Sequence, residues 1–124
     1  MKSILAHAAA IILAAGLLGC DLDVPPISSA KCTTYVAGSP GPQKELTSTQ
    51  LHALNTWLSE HRSEWSRTAV THAPRTQVWI RHKDGEASSL NLWPSLLIAS
   101  GPLGQYQRAL TEDEARTLTR ILEL

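Results

Sequence analysis

Phenylalanine is absent from this chain of 124 residues, and aromatic residues of all kinds make up only 5% of it. A hydrophobic core would therefore depend heavily on the four tryptophans. Net charge is also absent, because 11 lysines and arginines balance 11 aspartates and glutamates. Nucleic-acid binding needs a clustered basic face, and nothing in this balance favours it. Beyond the first twenty residues, no apolar run approaches the length of a membrane span.

Sequence motifs of catalytic and cofactor sites are missing as well. There is no nucleophile elbow, no glycine-rich phosphate loop and no histidine pair at metal-binding spacing. We therefore predict a protein that is not an enzyme and holds no metal or cofactor. His61 is interpreted as a hydrogen-bonded boundary residue of a helix, and His82 as a solvated residue beside a turn. An enzyme would instead need the fold to gather His61 or His72 with a carboxylate such as Glu64 in one pocket.

The N-terminal segment carries the strongest motif. Lys2 precedes an almost wholly apolar run over residues 4–18, which would reach about 22 Å as a helix, short of the ~30 Å hydrocarbon core. This length is typical of a signal peptide. The run closes with Leu17-Leu18-Gly19-Cys20. These four residues resemble the lipobox of bacterial lipoproteins.

The resemblance implies that cleavage falls between Gly19 and Cys20, which removes residues 1–19. It also implies a diacylglyceryl group on the Cys20 thiol and an acyl chain on the new amine, which hold the protein on a membrane. One acyl chain binds only reversibly, whereas two or three give a lasting anchor. The alternative is an ordinary signal peptide, which would leave Cys20 free to form a disulfide. Asp21 resembles an inner-membrane retention signal, so we expect a periplasm-facing inner-membrane protein; the alternatives are the outer membrane and a solvated Asp21 with no sorting role.

Residues 20–46 contain four of the seven prolines and predict a semi-extended tether spanning about 25–30 Å. Within this tether, residues 32–36 form a β-like run. The alternative interpretation is that this run docks on the sheet as an edge strand. Cys32 would be the only free thiol of a lipidated protein. It is interpreted either as a small, half-buried apolar residue or as the site of an intermolecular disulfide.

Residues 47–124 predict a small α+β domain with the element order α-β-β-β(-β)-α. Capping boxes at Thr47/Gln50 and Thr111/Glu114 predict the two helix starts. Between the helices, a hairpin over 76–92 turns at residues 83–85, and a bulged turn would put its apolar residues on one face. Strands over 96–100 and 105–109 would complete an antiparallel sheet of three to four strands. Both helices would pack on this sheet as a second layer.

The opposite face of the hairpin is a candidate interaction surface. Tryptophan and arginine dominate binding hot spots, and this face carries Trp79, Arg81, Lys83, Ser89, Asn91 and Trp93, with Arg75 at its end. The alternative is that the second helix or the tether covers it.

These features predict a non-catalytic, lipid-anchored module that binds another envelope component, with a protein as the expected partner and no nucleic acid involved. An inhibitor or immunity lipoprotein would be one special case. A small envelope hydrolase acting on cell wall or lipid is one alternative. A passive structural lipoprotein is the other, and it predicts that Trp79 and Trp93 are covered, so that Trp79→Ala would cost ~3 kcal/mol or more.

Overall fold

The structure is a computed structural model, and it describes residues 19–69, 73, 75–102 and 104–124. Most of the predicted signal peptide lies outside these residues, as does His72. None of the described helices combines the length and the apolar character that crossing a bilayer would require.

Two helices begin where the capping boxes predict. Helix α1 spans Ser48–Glu60, and helix α2 spans Glu112–Leu122. At the start of each, the threonine side chain accepts from the backbone N–H three residues later, and the side chain of that later residue accepts from the threonine N–H. Both reciprocal pairs satisfy backbone donors that the first turn leaves open. The helices bury one apolar face each, formed by Leu54, Trp57 and Leu58 in α1 and by Leu118 and Leu122 in α2.

Helix α1 ends earlier than its apolar pattern predicts. The periodicity continues to Trp65, but the helix stops at Glu60 and His61 caps it. Glu64 has a φ of +67°, a left-handed conformation that turns the chain. Because of this turn, Trp65 reaches the core from a loop and not from the helix. Its side chain is 0% exposed.

The described strands form one antiparallel sheet of eight members. Its order is β2-β1-β5-β6-β7-β8-β4, and β3 also pairs with β1. The α+β class is confirmed, but the sheet has about twice the number of strands predicted. Its members are β1 (Ile27–Val36), β2 (Ser39–Pro40), β3 (Lys44–Glu45), β4 (Ser66–Arg67), β5 (Thr76–His82), β6 (Ala87–Trp93), β7 (Leu96–Gly101) and β8 (Gly104–Ala109).

The hairpin adopts the bulged register. Val78 pairs with Leu90 and Trp79 pairs with Ser89, while Gly85 has a φ of +90° in the turn. A left-handed residue there is what a bulged turn requires. Strands β7 and β8 follow at the predicted places and continue the meander.

The predicted tether is wrong over most of its length. Residues 27–36 form β1, which pairs along β5 from Ile27 to Thr34. The four prolines lie before and after this strand and none lies within it, so they bound the strand instead of extending a linker. The edge-strand alternative was closer, but β1 is longer and has β2 and β3 on its outer side. The folded domain therefore begins well before residue 47.

The core lies between both helices and one face of the sheet. Trp57 and Trp65 are buried in it, while Trp79 is exposed, so only part of the tryptophan content serves the core. Cys32 is also buried there, and burial raises the pKa of its thiol. It packs as a small apolar residue, as the simpler interpretation had it.

Candidate functional site

The sheet face opposite both helices, here called the outer face, carries the predicted interaction residues. Strand alternation places Gln77, Trp79 and Arg81 of β5 on it. Their partners on β6 and β1 share this face, namely Ala87, Ser89, Asn91, Ser29, Lys31 and Thr33, with Trp93 beyond them. Neither described helix covers the outer face, because both pack on the other side of the sheet.

Trp79 is the exposed aromatic of the outer face. Its side chain is 49% exposed, and it lies between Lys31 on β1 and Ser89 on β6. Arg81, also exposed, is two residues along the same strand and donates to the Gly85 carbonyl across 3.3 Å. An apolar ring with a cation beside it and another along its strand is a suitable anchor for a partner surface.

Trp93 lies in a different environment, so the two tryptophans do not form one patch. It is partly buried, and its Nε1 donates to the Ala73 carbonyl across 3.0 Å. Ile98 of β7, which pairs with Asn91 on the side of β6 away from Trp79, is 2% exposed. Asn91 is partly buried, and its Oδ1 is a buried acceptor without a partner in the described part of the chain.

The two remaining predicted residues lie apart from each other. Lys83 is exposed in the turn after β5, and its N–H donates to the Pro26 carbonyl. Arg75 is exposed at the opposite end of β5, where its carbonyl accepts from Tyr35. The predicted surface therefore reduces to a smaller group, here called the Trp79 patch, formed by Lys31, Gln77, Trp79 and Arg81.

Cys20 is held against the folded domain. Its backbone exchanges two hydrogen bonds with Trp65, of 2.7 and 3.1 Å, and its Sγ lies 3.3 Å from the Trp65 carbonyl oxygen. Asp21 beside it is exposed. Gly19 is close enough that a Cβ there would lie 2.5 Å from the Trp65 carbonyl oxygen. The predicted cleavage position is thus adjacent to the body of the domain instead of at the end of a tether.

A cavity of about 300 Å³ lies between the segment after Cys20 and one end of the sheet. Leu22–Pro25 form one wall, and the core-side residues of β5–β8 form the other. His82 lies in this wall, 3% exposed, with Nδ1 donating to the Pro25 carbonyl and Nε2 2.6 Å from Ser88 Oγ. The prediction of a solvated His82 is therefore wrong, because the N-terminal segment covers it.

Arg108 is the centre of a buried polar cluster that sequence reasoning missed. It lies on β8, 5% exposed, and its guanidinium is 2.9 Å from Glu114 and 3.3 Å from Glu64. Its Nε donates to the Ser63 carbonyl, and its Cζ lies 5.9 Å from the centre of the Trp57 ring. The cluster joins β8, both helices and the loop after α1.

His61 belongs to the same cluster, and its role as a hydrogen-bonded boundary residue is confirmed. Its ring stacks on Trp57 at 3.9 Å, and its Nδ1 donates to the Trp57 carbonyl across 2.7 Å. The carboxylate 3.4 Å from its Nε2 belongs to Glu114 and not to Glu64. His61 does not line the cavity beneath the N-terminal segment. Within the described ranges, no three metal-ligating side chains come together.

Glu114 connects this cluster to the stability of the fold. Burial raises the pKa of its carboxyl, but the Thr111 N–H and the Arg108 guanidinium outweigh burial, so the pKa lies below its ordinary value of 4.5. A lowered pKa means that the carboxylate stabilises the fold fully above pH 4.5 and loses this effect as the pH falls through the lowered value.

We therefore expect Glu114→Gln to flatten the acid dependence of stability. Glutamine keeps the capping box, as Gln50 does in α1, but has no carboxylate to protonate. Urea unfolding of both proteins between about pH 5 and pH 3 measures the difference. Glu112→Gln is the control, because Glu112 is exposed on the same turn. Equal slopes for the two variants would show that Glu114 contributes nothing specific.

Of the two features that sequence reasoning missed, only the N-terminal segment over the cavity had a weak signal in the sequence. Exposed Asp21 and Asp23 alternate with the partly buried Leu22 and Val24, a pattern typical of a half-buried extended segment. The Arg108 cluster had no local signal, since its members lie far apart in the chain.

The chain matches no family model, no curated protein and no solved structure.

Proposed function

We propose that this protein is a lipid-anchored envelope lipoprotein that faces the periplasm and binds an envelope protein through the Trp79 patch. The observation that carries the binding role is the half-exposed Trp79 on a sheet face that neither described helix covers. The residues Leu17-Leu18-Gly19-Cys20 support the anchor. No catalytic step is part of the proposal.

The chemistry of the patch indicates the kind of partner. An exposed indole contributes to binding when a partner pocket removes it from water. Lys31 and Arg81 add positive charge on either side, so the matching surface would be an apolar pocket with an acidic rim. Confinement to a membrane raises the local concentration of both proteins, so a small interface is sufficient.

The environment of Cys20 is compatible with an anchor at this residue. Its backbone N–H donates to the Trp65 carbonyl, and an acylated amine keeps one N–H for this bond. Its side chain is exposed. Asp21 is exposed next to it, and its resemblance to a retention signal favours the inner membrane.

The experiment has two parts that test anchor and partner separately. For the anchor, Cys20→Ser should prevent lipid attachment and cleavage, so the membrane-bound processed form disappears. Fractionation with intact-mass measurement checks this. A Cys20→Ser protein that keeps the normal processed mass and stays on membranes would contradict the anchor.

For the partner, a photo-crosslinking amino acid replaces Ala87, which is exposed on the outer face and pairs with Arg81. The lipidated protein should give a discrete adduct in cells, and Trp79→Ala should weaken it by roughly 30-fold, as loss of a hot-spot residue of about 2 kcal/mol does. Val36→Ala is the matched control, because Val36 is an apolar residue of β1 that is 72% exposed. Equal adduct yields in the two variants would contradict the role of the patch.

A further inference from the structure

The cavity beneath the N-terminal segment is the second feature of the molecule that a ligand would fit. Its walls are largely apolar, from Leu22, Val24 and Pro25 on one side to Leu90, Ala99 and Tyr106 on the other. His82 is the buried polar side chain in the wall, and it bonds to the Pro25 carbonyl and to the partly buried Ser88, so it presents no free donor that would select a polar ligand. A chain of methylene groups suits such a lining.

Cys20 lies two residues before Leu22, the first residue of the cavity lining. Its backbone pairs with Trp65, and the Leu22 N–H donates to the Arg62 carbonyl, so the segment runs extended beside residues 62–65. Side chains two residues apart on an extended segment point to the same side. Cys20 therefore shares its side with Leu22 and Val24, which line the cavity.

The strand pairing next to Cys20 leads to the opposite rim. Trp65, which pairs with Cys20, directly precedes β4, and Arg67 of β4 pairs with Tyr106 of β8. The guanidinium of Arg67 lies 5.5 Å from the centre of the Tyr106 ring, and its Nε donates to Tyr106 Oη. Tyr106 lines the cavity. Cys20 thus lies beside the chain segment that leads to the Tyr106 part of the rim.

We propose that this cavity holds part of one acyl chain carried by Cys20 itself. The inference rests on the lipid anchor proposed above and adds where one of its chains goes. A methylene group occupies about the volume of a water molecule, roughly 30 Å³, so the cavity accepts roughly ten carbons. The remainder of the chain extends past the mouth towards the bilayer.

The charge around the cavity favours this occupant over a free fatty acid. Asp23, Asp84 and Glu86 all lie along the lining, and three carboxylates there repel a carboxylate head group. An acyl chain esterified to a glycerol that a thioether joins to Cys20 carries no charge. The acyl chain is in apolar surroundings both in the bilayer and in the cavity, so moving between them costs it little. The apolar lining of the cavity, however, is removed from water only when the chain covers it, and this favours the cavity.

The test uses the full-length protein made in cells that are fed a palmitate analogue bearing a diazirine at about the tenth carbon. After ultraviolet irradiation of intact membranes, peptide mapping locates each crosslink within the lipidated protein. We expect crosslinks to Leu22–Pro25 and to the β6–β8 wall. Ala99→Leu and Val24→Trp fill the cavity from opposite sides, and each should remove these crosslinks while the mass added by the lipid stays the same. Ala87→Leu, on the exposed outer side of β6, should keep them.

The outcomes separate the two proposals. A lipidated protein whose crosslinks fall only on phospholipid or on other surfaces overturns the cavity inference and leaves the anchor intact. A Cys20→Ser protein that still carries labelled lipid in the cavity shows a free lipid as the occupant, which also overturns it. A wild-type protein with no attached lipid overturns both. Where Ala99→Leu fails to fold, Val24→Trp gives the same comparison.

Discussion

Replacing Trp65 by alanine is expected to lower the free energy of unfolding by about 3–5 kcal/mol. The ring is 0% exposed, and its Nε1 donates to the His61 carbonyl across 2.8 Å. Alanine leaves a cavity in a core that contains no phenylalanine to fill it. It also leaves the His61 carbonyl without this donor. Urea unfolding of the processed protein, followed by far-UV circular dichroism, measures the change without relying on tryptophan fluorescence.

Trp79→Ala is the matched control for this measurement. The Trp79 side chain is half exposed on the outer face, so its removal should lower the free energy of unfolding by about 1 kcal/mol or less. A cost similar to that of Trp65→Ala would show that Trp79 is covered in the protein. That outcome would favour the passive structural lipoprotein and contradict the Trp79 patch as a binding surface.

Arg108→Ala is expected to have an effect of similar size, about 3–5 kcal/mol, because it leaves a largely buried carboxylate without its cation. Glu114 is 18% exposed and would lose the 2.9 Å contact with the guanidinium. The Ser63 carbonyl would lose its donor at the same time. The three segments that now meet at Arg108 would lose the contacts that they make through it. The measurement is again urea unfolding at neutral pH.

A second pair of variants separates charge from volume at this position. Arg108→Met keeps most of the side-chain bulk and should still be strongly destabilising. Adding Glu114→Gln should recover part of the loss, since the unpaired charge is then gone. Arg116→Ala is the control, because Arg116 is exposed and its ion pairs on the surface of α2 are worth about 0.5 kcal/mol. If Arg108→Ala costs no more than Arg116→Ala, the cluster contributes nothing to stability.

The features of the fold that could be predicted are those set by residues close together in the sequence. Capping boxes fixed both helix starts, because the interacting residues are three apart in the chain. The pairing of Val78 with Leu90 followed from burial, since a one-residue slip would reverse both faces. Strand β1 was foreseen only as the alternative of an edge strand over 32–36, because its flanking prolines resemble a linker. Its partner β5 is more than forty residues away, at a distance where sequence pattern gives no guidance.

The candidate site was predicted in the same uneven way. Alternation placed Trp79 and Arg81 together on the outer face, and they lie there. The same alternation placed Trp93 on this face but gave no indication that Ala73 would bond to its indole. The end of α1, the Arg108 cluster and the cavity all depend on residues that meet only after the chain has folded. Their contacts are set by tertiary packing, for which these local patterns carry no signal.

The edges of the sheet have a consequence for how the protein behaves at high concentration. Two-residue strands pair along both borders, β2 and β3 beside β1 and β4 beside β8. Without them, ten-residue β1 would offer a long row of unpaired backbone groups to any neighbouring copy. Edge strands of two residues offer an incoming strand of another copy very few backbone groups to pair with. Copies crowded together at one surface should therefore resist stacking into fibrils, because the fold itself ends the pairing on both sides.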